Sequence, residues 1–355
     1  MAQITHFFLG ANGGGGFENL LAESGGPETA CELRRPKGGP GVGKNTFMRE
    51  IGKTMEQAGA DVEYLWCSGD PDSLDGVAIP AIRCAVCDGT SPHIVEPKYP
   101  AAVDRYVDLG RFYDLPAAKA QAAEVKRHTH DYQDAYARAY RCLKAARQVE
   151  LDTAAEIRQC FDSQRAARRI SGIMARELRG QGTGTGRITR RFLGSVTHKG
   201  PVWRFDSAET LCSKIYELED SYEQAGGLLS ALCAEAVRRS YDVIACPSPE
   251  EPERLEHLLI PELGVAFVTS KPGMEYPGKP YRRVRLNALS HPESKARLRF
   301  RSRMAGVLRE EGVAALQDAK AAHDRLESVY NPYVDFEGVR AQAAIEAGRL
   351  LSWLN

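Results

Sequence analysis

The chain has 355 residues, and its 47 Lys and Arg against 47 Asp and Glu give a formal net charge of +0. That balance argues against a protein devoted to coating nucleic acid or anionic membrane, and a 43% hydrophobic content argues against disorder. No apolar run approaches the roughly 20 residues a membrane helix needs and no secretory pattern opens the chain, so a cytoplasmic protein is expected.

In chain order, a polar stretch over residues 31–36 precedes a glycine-rich loop. An amphipathic helix follows, with Phe47, Met48, Ile51 and Met55 on one face and Gly59 at its end. Residues 62–67 read as a strand. Asp70-Pro71-Asp72 suits the start of a short acidic helix, and residues 82–87 read as a second apolar strand. Residues 116–179 are rich in Ala, Arg, Glu and Gln and read as long helices; Gly180, Gly182, Gly184 and Gly186 then mark a flexible linker. Its alternating glycines open no amphipathic helix after a strand, which excludes a dinucleotide fingerprint there.

Beyond the linker the chain repeats itself. Ile4-Thr5-His6-Phe7-Phe8-Leu9-Gly10 returns as Ile188-Thr189-Arg190-Arg191-Phe192-Leu193-Gly194. A longer echo keeps a constant spacing of 181 residues, from Asp61 and Asp242 through Pro80 and Pro261 to Val86 and Phe267. Ordered matches of this kind indicate two copies of one unit. Strands alternating with helices imply parallel sheets. The expected fold is therefore α/β, with two tandem P-loop NTPase-like parallel-sheet domains, each a three-layer αβα sandwich with a long helical extension. The divisions fall at 1–114 (first core), 115–179 (helical extension), 180–187 (linker), 188–290 (degenerate repeat) and 291–355 (second extension).

Nine scattered cysteines do not resemble a disulfide framework. Cys84 and Cys87 have metal-type spacing, but no second pair completes four ligands, and the same residues suit a buried strand.

The chemistry concentrates in Gly38-Gly39-Pro40-Gly41-Val42-Gly43-Lys44-Asn45-Thr46. This is nearly the pattern G-x-x-x-x-G-K-[ST], in which backbone amides and a helix N-terminus grip phosphates and the lysine reaches the outer ones. Asn45 stands where a hydroxyl ordinarily ligates Mg²⁺; its amide oxygen could substitute, or Thr46 could shift in. Asp88, at the end of the apolar strand 82–87, is the candidate carboxylate for Mg²⁺, against a plain Asp-Gly turn. The loop after it offers His93 and Glu96 to orient water or bind a hydroxyl, against a polar rim loop.

The repeat acts as an internal control. Residues 219–227, read as a shorter loop, contain no lysine, and Thr269 stands at the position of Asp88. One nucleotide site and one scaffold copy are expected. The same control demotes Asp70, Asp72 and Asp75, because the site-less copy keeps acids at 251, 253 and 256. Arg190, Arg191, Arg282 and Arg283 are candidates for an arginine donated by the second copy, against solvated surface charges.

The runs 37–44, 67–76, 88–93 and 96–100 resemble a poorly characterised family of bacterial ATPase-like proteins, and the likeness covers nearly the whole chain. The resemblance implies tandem P-loop domains with helical insertions and binding of ATP or GTP. The family typically has Gly-Lys-Ser-Thr in the loop, where this chain has Gly43-Lys44-Asn45-Thr46, and an apolar lead-in strand. The expected function is Mg²⁺-dependent NTP hydrolysis or phosphoryl transfer to an unidentified small acceptor. The alternative is a non-hydrolysing ATP-dependent switch or scaffold acting on a partner through its helices.

Overall fold

The computed structural model describes residues 2–20, 32–90 and 99–354. Strand β1 (Ile4–Phe8) leads into a hairpin of β2 (Gly10–Gly13) and β3 (Gly16–Asn19). There follow β4 (Glu32–Lys37), α1 (Lys44–Gln57), β5 (Val62–Trp66), β6 (Leu74–Ile79), β7 (Cys84–Cys87) and β8 (Asp104–Asp108). These strands form a sheet in the order β1-β5-β6-β7-β4-β8. Helices α2 (Leu115–Ala120), α3 (Ala122–Gln159) and α4 (Ser163–Glu177) come next.

The second half repeats the plan. It contains β9 (Ile188–Arg190), a hairpin of β10 (Gly194–Thr197) and β11 (Gly200–Trp203), and α5 (Phe205–Leu211). Then come β12 (Lys214–Glu219), α6 (Gly226–Arg238), β13 (Val243–Ser248), β14 (Glu251–Ile260), β15 (Val265–Ser270) and β16 (Arg282–Arg285). Its sheet order, β9-β13-β14-β15-β12-β16, matches the first strand for strand. The registers agree as well: Arg34 pairs with Val86 and Arg105, and Tyr216 with Phe267 and Arg282. The chain closes with α7 (Lys295–Tyr330) and α8 (Phe336–Leu351).

Two expectations are corrected. The acidic segments are not helices: β6 and β14 are strands, antiparallel to both neighbours, so each sheet is mixed rather than parallel. The Asp70 carboxylate accepts hydrogen bonds from the Ser73 hydroxyl (2.9 Å) and the Asp72 amide (3.2 Å), closing a tight turn. Beyond it Val77 and Ile79 face one core and Ala78 the other, the period of a strand rather than a helix.

Nor is each half a three-layer sandwich. Helices α1, α4, α6 and α8 cover one face of each sheet: Val62, Val77 and Val86 pack with α1 and α8, and Tyr216, Leu258 and Phe267 with α4 and α6. The short α5 lies on the other side, its Phe205 and Ala208 in one core with Phe8 and Ile215. The opposite faces share one core, in which Leu65, Ala85 and Cys87 meet Ile215, Ala266 and Val268. At its centre Phe8 and Phe192 exchange backbone hydrogen bonds of 2.9 Å. Cys84 and Cys87 belong to different cores, as alternation along a strand requires, and so do not share a ligand position.

The helical extensions cross over. Helices α3 and α7 run antiparallel along one another, with Tyr132 beside His323, Leu143 beside Gly312 and Glu156 paired with Arg301 (2.8 Å). Each then delivers its terminal helix to the other half, α4 onto α6 and α8 onto α1. Residues 180–187 run along the second lobe, where the Thr185 and Arg187 amides donate to Asp242 at 3.0 and 2.8 Å. Among the described residues no helix is long and apolar enough to cross a membrane.

Candidate functional site

Strand β4, beside edge strand β8, ends at Lys37, and α1 begins after six intervening residues. The unusual polarity of this strand has a structural answer. Arg34 is 1% exposed and bonds to Glu32 (2.8 Å) and to the Glu346 carboxylate of α8, while Arg35 pairs with Asp104 on β8 at 3.1 Å. The charges are buried because each is paired, and one partner arrives from the far end of the chain.

Between strand and helix the backbone turns left-handed at Gly41 (φ +74°) and Gly43 (φ +89°), where a side chain would be strained. A Cβ at Gly41 would also lie 2.6 Å from the Asn331 amide. The Lys44 ammonium folds back over the loop, donating to the carbonyls of Gly38 (3.0 Å) and Gly39 (3.3 Å), and lies 3.6 Å from Asp88. The amides of Val42, Gly43, Lys44, Asn45 and Thr46 donate to no acceptor among the described residues. At a helix N-terminus such unclaimed donors favour an anion.

The structure brings Gly38–Thr46 and Asp88 together, because β7 lies directly beside β4. One Asp88 oxygen accepts from the Thr90 amide (2.8 Å) and hydroxyl (2.6 Å), and the other faces Lys44. Asn45 is engaged elsewhere: its side-chain oxygen accepts from Arg49 (3.0 Å) and from the Leu74 amide (3.1 Å), anchoring α1 to β6. The Thr46 hydroxyl makes no hydrogen bond among the described residues. His93 and Glu96 lie outside the described residues. The candidate arginines are engaged elsewhere: Arg191 with Glu63, Arg190 with the Pro252 carbonyl (2.8 Å) and Arg283 with Glu217 (2.6 Å), while Arg282 lies exposed on edge strand β16.

Several residues at the loop have no signature in the linear motif. Glu327, on the last turns of α7, accepts from the Gly41 amide at 3.2 Å. The Asn331 amide donates to the carbonyls of Glu327 (3.1 Å) and Gly41 (3.2 Å). The Tyr113 hydroxyl donates to Pro40 at 2.7 Å, and burial pushes its pKa up so that it stays protonated. His323, Asp324 and Glu327 bring three ligand-type atoms within 4.8 Å of one another, a grouping that exposed acidic residues commonly make without a metal.

The second lobe has a loop of the same length, residues 220–225, which corrects the expectation of a shorter one. It also keeps the turn, since Glu223 (φ +59°) holds the left-handed conformation at the place of Gly41. Gly226 replaces Lys44, and Asp220 replaces Gly38. The Asp220 carboxylate accepts from the amides of Gln224 and Ala225, both at 2.7 Å. These are the counterparts of the Val42 and Gly43 amides, so the protein's own carboxylate fills the second loop. Burial raises the Asp220 pKa despite those bonds.

No family model, curated sequence or solved structure matches this chain.

Proposed function

We propose that the first lobe binds a nucleoside triphosphate with Mg²⁺ and acts as a P-loop NTPase or phosphotransferase. One observation carries the reading: a strand, a left-handed glycine turn and a helix leave five successive amides unclaimed beside a lysine, and the equivalents of the first two, the Gln224 and Ala225 amides of the other lobe, are closed by an aspartate. Lys44 would exchange its loop carbonyls for phosphate oxygens. Asp88 and Thr46 are the hard oxygen donors for Mg²⁺; Asn45, held by Arg49 and Leu74, is not.

A second reading, nucleotide binding without turnover, is favoured by that same Asn45, because the usual hydroxyl ligand is missing. Calorimetric titration of Mg-ATP and Mg-GTP into wild type and Lys44→Ala tests the site, and phosphate release separates the two readings. Loss of at least about tenfold in affinity in Lys44→Ala is expected. Equal affinity in the two proteins removes the assignment.

A further inference from the structure

The second lobe's closed loop borders a cavity of about 690 Å³, within the range of small-molecule sites. It occupies the place that the nucleotide cleft would have in the first lobe, over loop residues Ser221–Glu223 and the ends of β13 and β15, and is roofed by α3 and α7. Its lining mixes both signs, with four glutamates beside two lysines and three arginines. On the floor Glu223 and Glu256 share Lys271, at 3.4 and 3.3 Å, and Arg254, at 3.3 and 3.8 Å. Glu256 is 2% exposed, yet its Oε2 makes no hydrogen bond among the described residues. His257 lies 3.8 Å from that oxygen and is held neutral by burial, with a pKa of about 4. Glu250 also lines the cavity and accepts from the Gly14 amide at 2.6 Å; burial and the neighbouring Glu150 raise its pKa, against the pull of Arg309 and Lys271.

A buried carboxylate oxygen with no donor is costly, and it marks where a ligand's N–H group is worth most. The walls are flat and apolar, formed by Trp203, Tyr222, Pro249 and Met274, and the Trp203 indole N–H also lacks an acceptor among the described residues. At the mouth Lys295 and Arg299 are exposed and make no ion pair among the described residues. They disfavour a second positive charge and favour an anionic end.

We propose that this cavity binds a small zwitterion of the amino-acid class, its ammonium group against Glu256, its apolar side chain against Trp203 and its carboxylate at Lys295 and Arg299. The second copy is then a binding lobe in its own right, with the phosphate site replaced by an amine site.

Three probes of one shape test this by calorimetry: L-phenylalanine (both charges), phenethylamine (ammonium only) and 3-phenylpropanoate (carboxylate only). Phenylalanine should bind most tightly, phenethylamine more weakly, and phenylpropanoate weakest or not at all. Glu256→Gln should weaken both amines by about tenfold. Because a core change can unfold the lobe, Arg299→Ala at the exposed mouth provides a second arm: it should weaken phenylalanine by about threefold and leave phenethylamine unchanged. Lys44→Ala should bind phenylalanine as wild type does, so this test stands or falls apart from the nucleotide reading. Absence of saturable binding by both amines at millimolar concentration, or phenylpropanoate binding as well as phenylalanine, overturns the proposal.

Discussion

The two lobes share a sheet order, a register and a six-residue loop, yet they treat the same backbone amides in opposite ways. In the first lobe Gly38 leaves the amides of Val42 and Gly43 unclaimed and Lys44 hangs over them; in the second Asp220 claims both equivalents and Gly226 removes the cation. Packing positions such as Met48 and Leu229 stay buried in each lobe. The scaffold is therefore indifferent to whether the loop is open, and what separates the two loops is the few polar residues in them.

The widest divergence in stability lies one layer below the loop. At equivalent positions of β4 and β12, Arg34 is held by Glu346 of α8, and Tyr216 by Glu177 at the end of α4, its hydroxyl donating at 2.6 Å. Each clasp locks one lobe to a helix delivered from the other. Glu346→Ala would leave a buried guanidinium with Glu32 and the backbone carbonyl of residue 346 (3.2 Å) but without its second carboxylate, and should cost about 3–5 kcal/mol. Glu177→Ala would strand a neutral phenol that keeps a bond from Arg176 (2.9 Å), and should cost about 1–2 kcal/mol. Urea unfolding of both variants checks the ordering; equal losses would mean that the two clasps carry the same load.

The repeat, the loop and the loop-to-Asp88 pairing were legible in the sequence because each rests on local spacing: apolar residues at helical intervals, glycines before a lysine, a carboxylate at a strand end. Strands β6 and β14 were misread because Asp-Pro-Asp and Glu-Pro-Glu suit a helix start, while the alternation that follows is apolar on both sides and so hides its period. The mixed sheets follow from that. Glu327, Asn331 and Glu346 were not legible as partners of the loop and its strand. Their partners lie hundreds of residues away, and no local pattern records that α8 is handed to the opposite lobe.

A pH measurement sharpens the contrast at β6 and β14. His257 in β14 is fully buried, its Nδ1 accepting from the Thr269 amide at 3.1 Å, where the first lobe has Gly76. Burial depresses its pKa from 6.5 to about 4, so the unfolded chain takes up a proton that the folded one refuses. Stability is then lost as pH falls below 6.5 and levels off below about 4, with a loss of about 2 kcal/mol between pH 7 and pH 5. His257→Gln keeps an acceptor for Thr269 and should flatten that slope. An unchanged slope in urea midpoints would assign the acid sensitivity to another group.

The smallest effect is expected where the lobes come nearest to sharing a device. Glu327 offers the Gly41 amide a carboxylate from outside the loop, a weaker and half-exposed version of what Asp220 does from within. An anion entering the first loop must compete with that carboxylate for the amide and tolerate its charge. Glu327→Gln keeps the size of the side chain and removes the charge, so Mg-ATP affinity should rise by about threefold, with a smaller gain at high salt because the group is exposed. The amine site of the second lobe does not involve Glu327 and should bind phenylalanine unchanged. If nucleotide affinity falls instead, Glu327 belongs to the binding site as a metal or water ligand, and the two lobes differ by more than the plug.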